Sequence, residues 1–107
     1  MSEKVTRGTA NVFADLGYPD ATERQTKTRL ALEINNLIKA RKLKQADAGE
    51  VLGVPQPKIS ALANYRLDGF SVERLMVFLT TLNQDVEIII RPRRDHRSGR
   101  VLVNAMR

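Results

Sequence analysis

The chain has 107 residues and no cysteine, which limits it to one small domain and excludes a disulfide framework or a cysteine-based metal site. Its formal net charge is +6, so an anionic partner is expected. No segment has the apolar run of a signal peptide or the length of a membrane span, so we expect a cytoplasmic protein.

Residues 1–20 are expected to form an N-terminal arm, because they lack a sustained helical or strand pattern. The arm nevertheless contains an apolar cluster, which is followed by the turn-forming residues Gly17 and Pro19. Such a segment either folds back onto the domain or becomes ordered on a partner protein. The cluster, a candidate partner-binding site, consists of Val12, Phe13, Leu16 and Tyr18.

A long first helix is predicted from about Ala21 to about Arg41. Thr22 and Gln25 have the spacing of a capping box, in which two side chains satisfy free backbone N–H groups at a helix start. Apolar residues then recur at helical intervals, so one face of the helix should meet the core. These residues are Leu30, Ile34, Leu37 and Ile38.

Residues 45–62 predict two short helices joined by a tight turn at Gly53. Glycine can adopt a positive φ without steric cost, and Pro55 has a fixed φ suited to the start of the second helix. The expected inward-facing residues are Ala48, Val51 and Leu52 on the first helix and Ile59 and Leu62 on the second. This arrangement is a helix-turn-helix, whose second helix enters the DNA major groove.

An ordinary pair of packed helices is the alternative interpretation of the same residues. It does not explain why polar Gln56, Lys58 and Ser60 interleave with the apolar positions of the second helix. Polar side chains on the outer face of a recognition helix are what base and phosphate contacts require. The interleaving therefore favours a DNA-binding motif.

The next segment, residues 64–70, is rich in Asn, Asp and Gly and is predicted to be a loop. Ser71 is a suitable N-cap for a further helix, and Asn83 tolerates the left-handed conformation that ends one. The buried stripe of this helix should contain Val72, Leu75, Met76, Leu79 and Leu82.

The C-terminal region, residues 85–107, is predicted to contain β-structure and a basic tail. Residues 86–91 and 101–103 are rich in β-branched side chains without a helical period, so we predict two strands that form a hairpin. An isolated hairpin is marginal in water, which favours pairing with a second subunit in a homodimer. Residues 91–107 also contain six arginines and a single acidic residue, Asp95. The predicted fold is therefore mainly α, with a C-terminal β-strand or β-hairpin.

The motif resembles the Cro/repressor-like XRE family of helix-turn-helix proteins. The shared features are a glutamine that opens the first motif helix (Gln45), Leu-Gly-Val at the turn (residues 52–54), and a glutamine at the start of the second helix (Gln56). They are followed by Ile-Ser and Leu in the second helix. The resemblance implies that residues 21–84 form an XRE-type DNA-binding domain.

With its flanks the chain resembles HigA-type antitoxins over about residues 11–92. The matching flanks are residues 11–17, 70–75 and 85–88. The resemblance implies a dimer that binds a double-stranded DNA operator, represses its own operon and neutralises a RelE/HigB-like toxin that cleaves mRNA on the ribosome. Two residues depart from the family pattern: Gly49 where alanine is usual, and Tyr65 where glycine is common after the recognition helix.

The resemblance carries DNA-binding roles over to nine positions. Gln56 could pair with adenine and Lys58 could donate to guanine or phosphate, whereas Ala61 could meet only a thymine methyl group. Pro57 has no donor and could only shape the contact. The remaining positions are expected to contact the DNA backbone: Lys44, Gln45, Ser60, Asn64 and Arg66.

An enzyme is not expected. His96 is the single histidine and has no cysteine or second histidine with which to share a metal, so neither a metal site nor a cofactor is predicted. Two other functions compete with the antitoxin hypothesis: a stand-alone phage-type XRE regulator without a toxin, and a protein-interaction module whose helix-turn-helix is vestigial.

Overall fold

The structure is a computed structural model that describes residues 20–106. Within this range the chain forms four helices, which are α1 (Asp20–Ala40), α2 (Gln45–Leu52), α3 (Gln56–Ala63) and α4 (Val72–Thr81). None of these helices is long and apolar enough to cross a membrane. The fold of the described part is therefore helical, and α2 and α3 are the two helices predicted for the motif.

The apolar cluster of the N-terminal arm lies outside the described residues. The prediction that Val12, Phe13, Leu16 and Tyr18 contact a partner is therefore untested by the fold.

The core lies where α1 crosses α4 and where the α2–α3 pair packs against both of them. Ile34 of α1, Leu62 of α3 and Leu75 of α4 are fully buried, and so is Leu82 at the end of α4. Each such side chain stabilises the fold by roughly 1.5–3 kcal/mol relative to exposure. The predicted helical periodicity of α1 and α4 is confirmed by this core.

The end of α4 follows the prediction for a left-handed cap. Asn83 has φ 66°, and the backbone N–H of Gln84 donates to the carbonyl of Leu79 at 3.0 Å. Arg41, just after α1, adds a hydrogen bond from its guanidinium to the carbonyl of Leu82 at 2.6 Å. A cation at a helix C-terminus also complements the helix dipole. These contacts connect the end of α1 to the point where the C-terminal region leaves the domain.

The start of α1 differs from the prediction. The helix begins at Asp20, so Thr22 lies within its first turn and the predicted capping box of Thr22 and Gln25 is wrong. The backbone carbonyl of Thr22 instead accepts a hydrogen bond from the hydroxyl of Thr26 at 3.0 Å. By contrast, the N-cap of α4 is confirmed, because the Ser71 hydroxyl accepts from the backbone N–H of Arg74 at 3.0 Å.

The buried face of α2 also differs in one position. Ala48 and Leu52 are buried as predicted, but Val51 keeps 40% of its surface exposed. Gly49 is buried instead, and it lies about 100° around the helix from Ala48. The buried face is thus rotated toward Gly49 and away from Val51, because the backbone of Gly49 is where α3 approaches.

The turn between α2 and α3 depends on two glycines. Gly53 has φ 72°, the left-handed conformation predicted for it, and the N–H of Val54 donates to the carbonyl of Gly49 at 2.9 Å. A Cβ atom at Gly49 would lie 2.7 Å from the carbonyl oxygen of Val54. The missing side chain therefore allows the turn to fold back against α2.

The predicted C-terminal hairpin is wrong for the single chain. Residues 84–106 contain no strand, and no backbone hydrogen bond joins residues 86–91 to residues 101–103. A two-stranded hairpin is marginal on its own, and Pro92 follows the first segment without an N–H to donate. The second segment packs on the helical domain instead, where Val103 contacts the core and its carbonyl accepts from Arg29 at 3.5 Å.

The arginine-rich connection, residues 91–100, contains two ion pairs, and both involve Asp95: a close one with Arg93 and a looser one with Arg97 at 4.0 Å. Arg93 donates to both carboxylate oxygens of Asp95, at 2.6 and 2.9 Å. These hydrogen bonds hold the pKa of Asp95 below its usual value. Because the pair is exposed to solvent, it orders the connection locally and adds little to the stability of the fold.

Gly49→Ala tests the close approach of α2 and α3. Overpacking by the new methyl group should cost about 1–3 kcal/mol, which exceeds the ~1 kcal/mol that alanine gains in helix propensity. Urea denaturation should therefore show a lower free energy of unfolding. Glu50→Ala, at an exposed position of the same helix, is the control and should be nearly neutral. A Gly49→Ala variant as stable as the unmodified chain would contradict the role assigned to this glycine.

Candidate nucleic-acid interface

The two sides of α3 differ sharply in exposure. Ile59 and Leu62 are 2% and 0% exposed and face the core, whereas Gln56, Pro57 and Lys58 in the first turn are exposed to solvent. Pro55 precedes the helix in an extended conformation, with φ −64° and ψ 152°. The first turn of α3 therefore presents its side chains outward from the end that follows the Gly53 turn.

The other end of α3 is held by α1. The side-chain amide of Asn35 donates to the carbonyl of Leu62 at 3.1 Å, which satisfies a carbonyl in the last turn of the helix. The turn at Gly53 holds the first end, so α3 is fixed at both ends. A recognition element fixed in this way needs little ordering when it meets a ligand.

Lys58 contacts the loop that follows α3. Its ammonium group donates to the carbonyl of Gly69 at 3.2 Å and lies 5.0 Å from the centre of the Phe70 ring. Phe70 in turn meets Phe78 of α4 edge to face, with ring centres 6.0 Å apart. Lys58 thus connects α3 to the loop and, through the aromatic pair, to α4. The base or phosphate contact predicted for Lys58 stays a prediction, and it requires the ammonium to exchange these partners.

The N-terminus of α2 is open to solvent. Lys44 occupies the N-cap position in an extended conformation without a side-chain cap, and both Lys44 and Gln45 are exposed. The first backbone N–H groups of a helix have no partner within the helix and can bind a phosphate oxygen. This end of α2 therefore has the donors that the predicted phosphate contact requires.

The four predicted contact residues near the end of α3 are placed differently from one another. Ser60 and Ala61 are half-buried, and Ala61 packs against the core, so neither is as open as the first turn. Asn64 is exposed, but its side-chain amide donates to the carbonyl of Ser60 at 2.9 Å and caps the helix. Arg66 is exposed, and its guanidinium forms no ion pair with another described residue.

Tyr65 adopts the left-handed conformation, with φ 57°. Its N–H donates to the carbonyl of Leu62 at 3.1 Å, and the N–H of Arg66 donates to the carbonyl of Ala61 at 2.9 Å. These two bonds form a Schellman motif, which usually has glycine in the left-handed position. Tyr65 therefore takes the conformation that glycine takes in the family pattern, and the loop keeps the same path. Because tyrosine has a Cβ atom, this conformation costs backbone strain.

Sequence reasoning did not identify the surroundings of Tyr65. The residue lines a cleft of about 90 Å³ together with Arg24 and Lys27 of α1 and with Asp68 of the following loop. Lys27 also pairs with Glu23 at 3.5 Å. A basic pair three residues apart on a helix is a common surface pattern, so only the fold could place it beside the end of α3.

Among residues 20–106, no three or more histidine or acidic side chains converge in a group that could hold a metal ion. His96, the single histidine of the chain, is exposed among the arginines of residues 91–100.

Comparison with known proteins agrees with this geometry. A family defined by a helix-turn-helix domain matches residues 12–91. A solved structure described as an XRE family transcriptional regulator is 55% identical in sequence, covers 82% of this chain and 100% of its own, and superposes with a TM-score of 0.78. No curated protein matches the chain significantly.

Lys58→Ala should destabilise the fold, because the variant loses the hydrogen bond to Gly69 and the contact with Phe70. We expect the free energy of unfolding to fall by about 1 kcal/mol, as for an exposed cation–π contact. Gln56→Ala removes an exposed side chain two residues earlier in the same turn and serves as the control, with unchanged stability. Equal urea midpoints for the two variants would show that the ammonium does not hold the loop.

Proposed function

Since the chain belongs to the XRE family of helix-turn-helix DNA-binding transcriptional regulators, we propose that it is an operator-specific repressor of the antitoxin type. Membership of this family makes it a regulator rather than an enzyme.

The exposed first turn of α3 carries the proposal for base recognition. Gln56 lies outward there, and its amide can donate to and accept from the edge of an adenine in the major groove. Pro57 beside it has no donor and shapes the approach. The ammonium group of Lys58 is bound to the carbonyl of Gly69 and would have to leave it to contact DNA. Gln56 is therefore the stronger candidate for base recognition.

Phosphate contacts are proposed at both ends of this surface. At one end, the first contact would be made by Lys44, Gln45 and the free backbone N–H groups of α2. At the other end, the contact would be made by Arg66, which is exposed. Asn64 and Ser60 would contribute from the last turn of α3, and Ala61 could meet a thymine methyl group. Such contacts fix the orientation of a protein on DNA without reading its sequence.

A homodimer is part of the proposal, because a near-palindromic operator presents the same half-site twice. In helix-turn-helix dimers the two recognition helices lie about one turn of DNA apart, roughly 34 Å. The formal charge of +6 on each copy supports association with DNA at low ionic strength.

The antitoxin role is supported by the resemblance to HigA-type proteins and by the apolar cluster in the N-terminal arm. An XRE repressor without a partner has no need for the cluster of Val12, Phe13, Leu16 and Tyr18. The proposed partner is a RelE/HigB-like toxin. A stand-alone regulator is the alternative, in which the cluster folds back onto the helical domain.

Gln56→Ala tests base recognition. Titration against a duplex selected by the protein from a random library should show a loss of ~1–3 kcal/mol in binding free energy and relaxed preference at one or two base pairs. The salt dependence of binding should not change, because the amide does not neutralise a phosphate. Asn36→Ala, which removes an exposed amide of α1, is the matched control and should bind normally.

The selection itself can contradict the proposal. If no sequence is enriched, or if the unmodified chain binds the selected duplex and a scrambled duplex equally, the protein is not an operator-specific regulator.

Phe13→Asp tests the antitoxin role. If the arm binds a toxin, the variant should fail to rescue growth in cells that express the toxin encoded beside it, while its melting temperature and DNA affinity stay unchanged. A charged side chain in an apolar contact is not tolerated without a partner charge. Loss of stability, DNA binding and rescue together would show instead that the arm folds onto the domain, and unaltered rescue would rule out docking through Phe13.

A further inference from the structure

The most exposed apolar segment among residues 20–106 is residues 88–90, a few residues after the end of α4. Ile88, Ile89 and Ile90 are 73%, 74% and 80% exposed. Consecutive residues of an extended chain point to opposite sides, so a strand packed on the domain by one side would bury at least one of them. Both sides of the segment are thus open to solvent. Its backbone forms no hydrogen bond with another backbone group of the described residues, so both edges are also free. A free apolar edge of this kind is a template for pairing with another strand.

The charges around this segment are arranged asymmetrically. Acidic residues precede the three isoleucines and basic residues follow them. If the segment is extended, alternate residues share a side. One side then carries Val86, Ile88 and Ile90, and the other carries Asp85, Glu87, Ile89, Arg91 and Arg93.

We propose that residues 85–93 form an antiparallel two-stranded ribbon with the same residues of a second copy, centred on Ile89. In this register Ile89 faces Ile89 of the partner subunit, and Glu87 faces Arg91 of the partner subunit. The twofold axis repeats the second pair, so two opposite-charge pairs flank the central isoleucines. On the other side, Ile88 faces Ile90 of the partner subunit.

Other arrangements match the charges less well. A parallel pair places Glu87 against Glu87 and Arg91 against Arg91, and directly opposed like charges destabilise a sheet. An antiparallel pair centred on Ile88 leaves Glu87 opposite an isoleucine. Of these arrangements, the one centred on Ile89 pairs every acidic residue of the segment with an arginine.

The two members of the Glu87–Arg91 pair are available for such contacts. Neither forms an ion pair with a described residue, whereas Arg93, which would face Asp85 of the partner subunit, already holds Asp95. The Glu87–Arg91 pair should therefore decide the register. Residues 101–103 stay on their own domain through Val103, which leaves residues 85–93 free to pair.

The strand predicted at residues 86–91 would thus form only when a second copy of the chain supplies the neighbouring strand. The inference rests on the proposed function, because an operator with two half-sites requires a dimer. It adds the residues that hold the dimer together and their register.

Single cysteines test the register directly, since the chain has none of its own. Facing Cα atoms in an antiparallel pair lie about 4.5–5.5 Å apart, within the range of about 4.4–6.8 Å that a disulfide spans. Full-length Ile89→Cys should therefore form a cross-linked dimer upon mild oxidation. Ile88→Cys is the matched control, because its two copies would lie about 8 Å apart, and it should cross-link at least tenfold more slowly. Preferential cross-linking of Ile88→Cys would overturn the register.

Charge reversal tests the interface in solution. Glu87→Arg faces Arg91 of the partner subunit and should raise the dimer dissociation constant at least tenfold in sedimentation equilibrium. Adding Arg91→Glu exchanges the charges and should restore the dimer. If Glu87→Arg stays dimeric, or if the double variant is no better than the single one, the ribbon is not the interface.

Binding to a duplex with one half-site separates this inference from the proposed function. Glu87→Arg leaves α3 unchanged and should still prefer the selected half-site over a scrambled one. If Ile89→Cys cross-links but the unmodified chain shows no sequence preference, the ribbon stands and the proposed function fails. If the chain prefers the selected duplex but Ile89→Cys does not cross-link, the proposed function stands and the ribbon fails.

Discussion

The contact between the backbone of Gly49 and the turn at Gly53 and Val54 determines how α2 and α3 meet. A side chain at Gly49 would place its first carbon 2.7 Å from the carbonyl oxygen of Val54, so glycine allows the chain to reverse within a few residues. The carbonyl of Gly49 also accepts the N–H of Val54 at 2.9 Å. Because the turn is so short, the direction of α3 follows from this contact, and with it the direction in which Gln56 is exposed.

The rest of the domain keeps α3 in that direction. Asn35 binds the last turn, Lys58 binds the following loop, and Ile59 and Leu62 anchor the inner face in the core. The outer face can therefore be polar without weakening the helix, because packing on the inner face provides the stability. The C-terminal region is built in the opposite way: Ile88 and its neighbours are exposed, and their backbone groups are free for another chain.

Sequence reasoning identified all four helices, because each buries a periodic apolar face within a single chain. It failed where the outcome depends on neighbours that are distant in sequence. Val51 was expected inside, but the approach of α3 to Gly49 rotates the buried face of α2. The partner of Lys58 depends on where the loop at Gly69 lies, which no local pattern encodes. The strand predicted at residues 86–91 was wrong for one chain, because β-branched residues indicate a tendency to pair but cannot supply the partner strand.

Chemical-shift mapping by NMR tests the central claim most directly, namely that the first turn of α3 is the surface that reads DNA. A ¹⁵N-labelled chain would be titrated with a duplex from the DNA upstream of its own coding sequence and with a scrambled duplex of equal length. If the claim is correct, the largest specific changes should occur at the side-chain amide of Gln56 and the backbone N–H of Gln45, with Val77 on α4 unaffected. Changes centred on α4, or identical changes with both duplexes, would contradict it.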